Sequence, residues 1–272
     1  MRVDGDIVAY FAPGGGLGHL NRALAICLGL RDAGVDGRIV TNSPFAAGLA
    51  GLARCPVVEL GGEDWGAAAR SFVREVRPRA VVMDTFPYGL RGEFAGFEVG
   101  APVVHVARRL LRPFAMERGD FACVIQVEPL GEEHCLVLGE SVVLDGPVLL
   151  APGRVATPVP RELRAGGLTL VVHSGAEGEV AELVGLAGPG CVVISPWSGV
   201  EYYPATNLYE RAGRVITGAG YNSMADLLAW RGKHTAVAFG RKYDDQSARV
   251  RFFFTEARDG TGQAVGAVLG VL

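Results

Sequence analysis

The chain has 272 residues, of which 49% are apolar and 20% are charged, and its formal net charge is -3. This balance is typical of a globular protein with one or two α/β domains, and it gives no general attraction to nucleic acid or to anionic membranes. The five cysteines are scattered without a CxxC pair, which argues against a disulfide scaffold and a zinc site. With no signal peptide and no apolar run long enough to span a bilayer, the sequence predicts a cytoplasmic protein.

The first half of the chain alternates short apolar runs with segments of helical periodicity. Strands are predicted at 6–12, 38–41, 57–60, 80–84, 103–106 and 122–127. Helices are predicted at 18–33, 44–53 and 63–76. This alternation indicates a parallel sheet with crossover helices on both faces.

A proline-rich segment at 142–160 interrupts the pattern, and the same alternation then resumes to the end of the chain. We therefore predict two doubly wound parallel-sheet domains, at 1–160 and 161–272, that face each other across a cleft. Strands of the second half are predicted at 168–173, 191–195, 214–217 and 235–239, with helices at 179–186, 205–212, 223–230 and 245–257. In such sheets, ligands bind outside the carboxyl ends of the strands.

The first candidate site is the glycine-rich turn PGGGLGHLNR at 13–22, between a predicted strand and a helix. Backbone N–H groups at Gly16 and Gly18 are able to approach an anion closely, and the helix N-terminus adds partial positive charge. His19 is a candidate base, and Arg22 lies one helical turn further along the same face. The turn lacks a clean G-x-G-x-x-G with a following acidic residue, which argues against a dinucleotide site.

The second candidate site is the turn TGAGYNS at 217–223, which again joins a buried strand to a helix. Gly218 and Gly220 to Ser223, including Tyr221 and Asn222, are predicted to hold a diphosphate. The alternative is that Asn222 or Ser223 only caps the helix. Asp226, predicted in the first helical turn, either reaches a ribose hydroxyl or complements the helix dipole.

Further polar residues follow other predicted strands. Ser174 and Gly175 could donate to a phosphate, or they form an ordinary loop. Asp84 follows a buried strand and is a candidate to face the cleft. Asp245 and Gln246 lie in a polar loop at a strand end, where they are able to bind sugar hydroxyls. In the same loop, Arg241, Lys242 and Asp244 fit a solvated loop equally well.

Three segments together resemble the GT-B glycosyltransferases, especially the MurG-type N-acetylglucosaminyltransferases of glycosyltransferase family 28. They are GGGLGHLNRALAICLGLRDAG, VITGAGYNSMADLLAWRGKHTAVAFG and the DDQ at 244–246. The resemblance implies a GT-B fold and sugar transfer from a nucleotide-sugar, with uridine as the base, to an acceptor hydroxyl. It implies no metal and no other cofactor, because backbone N–H groups stabilise the leaving diphosphate.

The same resemblance distributes roles over the candidate residues. The diphosphate would lie at 220–223, the ribose at Asp226 and the sugar at Asp245 and Gln246, with His19 as base near the acceptor. The first domain would take the acceptor and the second the donor. Lys233 replaces the family's usual proline, and the brief C-terminal segment predicts no long helix returning to the first domain.

Two other functions stay open at this stage. His19-x-x-Arg22 in a short chain also resembles the UDP-sugar hydrolases of nonulosonic acid synthesis, which share the fold and use water as acceptor. A nucleotide-sugar-binding protein without turnover would arise if acceptor loops were lost and donor turns kept. The sequence does not indicate an oligomeric state or identify the acceptor.

Overall fold

The computed structural model describes residues 6–53, 55–61, 64–116, 119–138, 140–197 and 199–272. The chain separates into a first unit, Met1–Leu149 with Arg258–Leu272, and a second unit, Leu150–Ala257. The boundary predicted at residue 160 assigns the last residues of the chain to the second half. In the structure the contacts of Arg258–Leu272 lie with the first unit instead.

The predicted alternation of strands and helices is confirmed over the described residues. The strands are β1 (Ile7–Phe11), β2 (Asp36–Thr41), β3 (Val57–Glu59), β4 (Ala80–Asp84), β5 (Val103–Ala107), β6 (Cys123–Gln126), β7 (Val142–Val143), β8 (Thr169–Val172), β9 (Val192–Ile194), β10 (Arg214–Gly218) and β11 (His234–Val237). The α-helices are α1 (Leu17–Asp32), α2 (Ala46–Ala53), α3 (Trp65–Val76), α4 (Glu132–Leu138), α5 (Glu177–Ala187), α6 (Thr206–Tyr209), α7 (Tyr221–Asp226), α8 (Gln246–Phe252) and α9 (Thr261–Leu269), and 3₁₀ turns lie at Arg161–Leu163 and Leu228–Lys233.

The first unit contains a parallel sheet in the order β3-β2-β1-β4-β5-β6-β7. Its central strands β1 and β4 are fully buried, as expected for apolar runs covered on both faces. The strand order reverses direction between β1 and β4. That reversal is the topological switch point at which doubly wound sheets bind ligands.

The C-terminal helix α9 packs against α1 within the first unit, which the sequence did not predict. A Cβ at Gly29 of α1 would lie 2.5 Å from Cγ2 of Val265, so the glycine permits this close helix contact. Gln263 donates to Asp145 at 2.8 Å and fixes the approach of the segment. The sequence predicted no long helix returning to the first domain, and α9, with nine residues, returns to the first unit because its apolar face is buried there.

The second unit contains a smaller parallel sheet in the order β11-β10-β8-β9. Its first strand β8 pairs with β9 on one side and with β10 on the other, so the switch point lies between β8 and β10. The core on one face is built from apolar side chains that include Leu170, Leu208 and Val215.

Helices α4 and α3 differ from the sequence-based elements. Helix α4 was not predicted, because its seven residues are too few to show helical periodicity. Residue 63, the predicted start of the third helix, lies outside the described residues, and α3 begins after Asp64, whose carboxylate accepts from the N–H of Ala67 at 2.8 Å. Among the residues described, we find no helix of the length and apolarity needed to cross a membrane.

Candidate functional site

The loop between β1 and α1 lies at the switch point of the first sheet. Gly14 has a φ of +129°, which only glycine adopts easily, and its N–H donates to Oδ1 of Asn42 at 2.8 Å. A Cβ at Gly14 would lie 3.2 Å from Cδ2 of His19, so the loop bends closely over the imidazole. A Cβ at Gly15 would have nothing within 4 Å, which leaves space beside the loop.

The structure brings the predicted residues His19, Arg22 and Asp84 together. Nδ1 of His19 lies 2.5 Å from Oδ2 of Asp84. Arg22 donates to both carboxylate oxygens, from Nε at 2.7 Å and from Nη2 at 2.6 Å. The hydroxyl of Tyr10 donates to Oδ1 at 2.8 Å. Helix α1 supplies two members of this cluster and β4 supplies the third, and Asp84 is 0% exposed.

Charge and burial fix the protonation states at this cluster. Burial alone would raise the pKa of the Asp84 carboxyl, but Arg22 and His19 outweigh it and hold that pKa well below its usual range. An ionised carboxylate only accepts hydrogen bonds, so Nδ1 of His19 carries the proton and Nε2 presents a lone pair. Burial lowers the pKa of the His19 imidazole, against the opposing effect of Asp84. The neutral, base-competent form of His19 is therefore favoured.

Two neighbours of this cluster were not predicted as site residues. Thr85 has a φ of 66°, an uncommon conformation for a β-branched residue, and its Oγ1 accepts from Nη2 of Arg22 at 3.0 Å. The ring of Phe86 lies 6.0 Å from that of His19. No local pattern in the sequence distinguishes these residues, although both directly follow the candidate Asp84.

In the second unit the predicted glycines divide into two groups. A Cβ at Gly218 would lie 2.6 Å from Cε1 of His173, and a Cβ at Gly175 would collide with His173 and Glu179. These two glycines therefore make room for a side chain. Gly220, in contrast, has a φ of -64° and nothing near its Cβ position, so the protein's own packing does not require glycine there.

The helix after this turn begins earlier than predicted. Gly220 is the N-cap of α7, and no side chain caps the helix, so the alternative of capping by Asn222 or Ser223 is wrong. Asp226 is the last residue of α7 and not part of its first turn. A negative charge at that end does not complement the helix dipole, which removes the dipole interpretation.

Asp226 and Tyr221 have protein neighbours in the second unit. Burial is the first cause that raises the pKa of Tyr203 and of Tyr209, and the negative charge of Asp226 is the second. The carboxylate of Asp226 therefore lies near both hydroxyls. Tyr221 is buried, with its ring 5.9 Å from that of Phe253. The side chain of Tyr221 therefore belongs to the core.

The loop between β11 and α8 is fixed by its own side chains. Asp245 is the N-cap of α8 and accepts from the N–H of Ala248 at 2.9 Å. Oε1 of the buried Gln246 accepts from the N–H of Phe239 at 3.0 Å. Asp244, which was compatible with a solvated loop, instead pairs with the fully buried Arg249 at 2.6 Å.

A second cluster of histidine, carboxylate and arginine lies at the switch point of the second sheet. His173 directly follows β8, and its Nε2 lies 2.7 Å from Oε2 of Glu179. Arg241 donates to both carboxylate oxygens of Glu179, from Nη2 at 2.6 Å and also from Nη1. Its guanidinium lies over the ring of Phe239. The interpretation of Arg241 as a solvated loop residue is therefore wrong, and His173 and Glu179 had no predicted role.

Neither of these clusters has the ligand set of a metal site. The described part of the chain contains no group of three or more His, Cys, Asp or Glu side chains that could hold a metal ion. The five cysteines are free thiols. An arginine guanidinium neutralises the carboxylate in each cluster.

Similarity to known proteins appears at the level of structure. No protein-family model matches the chain, and no curated protein sequence matches it. The structure is similar to the glycosyltransferase SsfS6 of Streptomyces sp. SF2575, at 13% identity and a TM-score of 0.55, over 86% of this chain and 82% of the other. That enzyme also has a structure complexed with thymidine diphosphate.

Two further structures support the same fold. The glycosyltransferase SnogD of Streptomyces nogalater is similar at 16% identity and a TM-score of 0.53, over 98% of this chain and 94% of the other. Acinetobacter baumannii MurG is similar at 14% identity and a TM-score of 0.50, over 90% of this chain and 83% of the other. The chain therefore has the α/β fold of the GT-B glycosyltransferases, with two doubly wound parallel sheets.

Proposed function

We propose that this protein is a glycosyltransferase that moves a sugar from a nucleoside-diphosphate donor to an acceptor hydroxyl without a metal ion. The observation that carries the proposal is the His19–Asp84 pair at the switch point of the first sheet, with Asp84 buried and held by Arg22. Uridine is the nucleoside that the MurG-type resemblance favours in the donor. The free cysteines fit a reducing, cytoplasmic setting.

In this proposal His19 is the general base. The acceptor oxygen attacks the anomeric carbon, the bond from that carbon to the diphosphate breaks, and the hydroxyl proton passes to Nε2 of His19. The Nδ1–H bond to ionised Asp84 holds the ring in the required tautomer and stabilises the imidazolium that forms. Arg22 acts through Asp84, because it keeps the carboxylate ionised and in place.

The donor would bind at the second unit. Gly220 supports this assignment, since its open Cβ position leaves room at the start of α7 for phosphate oxygens. Backbone or hydroxyl donors for the diphosphate would come from the residues predicted at the turns of this unit: Ser174, Gly175, Gly218, Tyr221, Asn222 and Ser223. Tyr221 would contribute its N–H alone, because its ring is in the core.

Three carboxylate or amide residues have assigned roles in donor binding. Asp226 would contact the ribose, and Asp245 and Gln246 would contact the sugar. In the structure, the carboxylate of Asp245 caps α8, and Oε1 of Gln246 accepts a hydrogen bond from the N–H of Phe239. Their contact with sugar would therefore use only the atoms that these bonds leave available.

The proposal is tested by calorimetric titration with a panel of nucleoside diphosphates, followed by product analysis with the matching nucleotide-sugars. Selective binding of one diphosphate, with sugar transferred to an added hydroxyl acceptor, would support the proposal. Rapid release of free sugar in water would identify a hydrolase instead. Absence of binding to every diphosphate would contradict a nucleotide-sugar function of any kind.

A further inference from the structure

The backbone at Thr85 adopts a conformation that a threonine side chain disfavours. Its φ is 66°, a region in which a β-branched residue is an outlier. The N–H of Phe86 donates to the carbonyl oxygen of Asp84 at 2.7 Å, so residues 84–86 close a three-residue turn directly after β4. Turns of this kind with a positive central φ are rare and strained.

The strain at this position is not explained by a helix end or by exposure. Among the described residues, positive φ is found at twelve glycines and at two other residues, Arg77 and Thr85. Arg77 is the exposed C-cap of α3, where left-handed backbone is common. Thr85 is 3% exposed and follows a strand. Glycine would adopt this backbone without strain, so the contacts of the threonine side chain are what hold the turn.

The hydroxyl of Thr85 is bonded to the ion pair beside the proposed base. Its Oγ1 accepts from Nη2 of Arg22 at 3.0 Å and donates to Oδ2 of Asp84 at 3.3 Å. Nη2 also donates to Oδ2 at 2.6 Å, so hydroxyl, guanidinium and carboxylate close a ring of three hydrogen bonds. Oδ2 is the oxygen that lies 2.5 Å from Nδ1 of His19. The hydroxyl therefore fixes the atom that orients the imidazole.

A hydroxyl is the group that this position requires. One oxygen both accepts from the guanidinium and donates to the carboxylate, and serine would do the same. Valine has the shape of threonine but provides neither bond, and it would leave a buried N–H of Arg22 without this acceptor. The chemical role of Thr85 is thus separable from its shape.

We propose that Thr85 is a positioning residue for His19. Its strained turn holds the hydroxyl against Arg22 and Asp84, and so aims Oδ2 of the carboxylate at Nδ1 of the imidazole. This inference rests on the proposed function, because it concerns the base of the same reaction. It adds a residue that acts through the carboxylate and not on the substrate.

The first test needs no substrate and uses NMR of the full chain labelled with ¹⁵N in histidine. The proton in a hydrogen bond as short as that between His19 and Asp84 resonates far downfield, and loss of the signal in His19→Gln assigns it. This signal should shift in Thr85→Val and keep its position in Thr85→Ser. An unmoved signal in folded Thr85→Val would overturn the inference.

The second test follows release of uridine diphosphate from UDP-N-acetylglucosamine, with glycerol as the hydroxyl acceptor. Thr85→Val should lower kcat by about ten- to a hundredfold, because the carboxylate and the guanidinium each lose a charged hydrogen bond. The KM for the donor should stay within about twofold, since the residue acts through Asp84. Thr85→Ser, which keeps the hydroxyl, should recover most of the lost kcat.

Glycine and alanine at position 85 separate the strain from the hydroxyl. Both variants lack the hydroxyl, but only glycine adopts this φ without strain, so Thr85→Gly should unfold at a higher urea concentration than Thr85→Ala. Their kcat values should be equally low. Arg77→Gly is the matched control at the exposed strained position and should leave kcat within about twofold.

Circular dichroism of each variant establishes that it is folded. Unchanged kcat in folded Thr85→Val, or a kcat that rises with stability from Thr85→Ala to Thr85→Gly, would overturn the inference while leaving the proposed function standing. If the unmodified chain releases no uridine diphosphate, the proposed function fails in its uridine form. The NMR result then decides by itself whether Thr85 positions His19.

Discussion

The two units of the chain each place a histidine, a carboxylate and an arginine at the switch point of a parallel sheet, but the two clusters differ in burial. In the first, the side chains of Asp84 and Arg22 are both 0% exposed. In the second, Glu179 is 19% exposed and Arg241 is 30% exposed. An imidazole, a carboxylate and a guanidinium are therefore found together in two different dielectric environments.

This difference separates a fixed ion pair from an adjustable one. A buried pair is costly to form and very costly to break, because either partner alone is an uncompensated charge. A partly exposed pair is screened by water and salt, and contributes little to folding. We therefore expect the first cluster to determine both folding and base chemistry, and the second to have little effect on stability.

The largest effect should come from Asp84→Asn. The amide no longer neutralises Arg22 or orients His19, so we expect a loss of about 3–5 kcal/mol in the free energy of unfolding and at least about a thousandfold in turnover. Urea unfolding and steady-state rates measure the two. Glu179→Gln serves as the comparison, and an equal loss of stability in that variant would contradict the distinction drawn between the clusters.

The next effect concerns the proposed general base. His19→Gln should lower turnover by about a hundred- to ten-thousandfold, since the base is lost, while affinity for a nucleoside diphosphate stays within about twofold. Rate measurements and calorimetry on this variant measure the two quantities. Unchanged turnover in His19→Gln would remove this residue from the mechanism.

A third effect is the loss of stability at acid pH, to which His105 and His234 both contribute. Burial lowers the pKa of His105 in the first unit and of His234 in the second to about 4. Because the unfolded chain binds these protons near pH 6.5, the stabilisation is complete above that pH and is lost as pH falls towards 4. Each group contributes a slope of about 1.4 kcal/mol per pH unit in that window.

Unfolding titrations between pH 7 and pH 4 on the unmodified chain and on the variants His105→Gln and His234→Gln measure this effect. Each variant should show a shallower acid slope, whatever its stability at neutral pH. An unchanged slope in His105→Gln would mean that the buried ring of this residue does not govern acid unfolding of the first unit.

Much of this organisation was accessible from the sequence, because apolar runs and glycine turns mark the ends of buried strands. The candidates His19, Arg22 and Asp84 were found in this way. Their mutual contact was not, since residues 19 and 84 come together only through the pairing of β1 with β4. Sequence position alone does not reveal a parallel pairing of strands that are distant in the chain.

The second unit shows the opposite limitation. Gly175 and Gly218 were interpreted as phosphate-binding glycines, and the structure shows that they make room for His173. A glycine that accommodates a side chain and one that accommodates a ligand look identical in a sequence. Helix α9 was missed for a related reason: its packing on α1 depends on contacts between the two ends of the chain.

The smallest predicted effect is that of salt on the second cluster. Glu179→Gln removes a partly exposed ion pair, so the free energy of unfolding at neutral pH should change by less than about 1 kcal/mol.

Raising the ionic strength from about 0.05 M to about 0.5 M in the unmodified chain should weaken diphosphate binding, because exposed charges are screened within about a Debye length. Stability of the first unit should respond little, because the Asp84–Arg22 pair is shielded from the solvent ions. A salt dependence of unfolding that disappears in Asp84→Asn would show that the first pair is also screened, and the contrast between the two clusters would then rest on geometry alone.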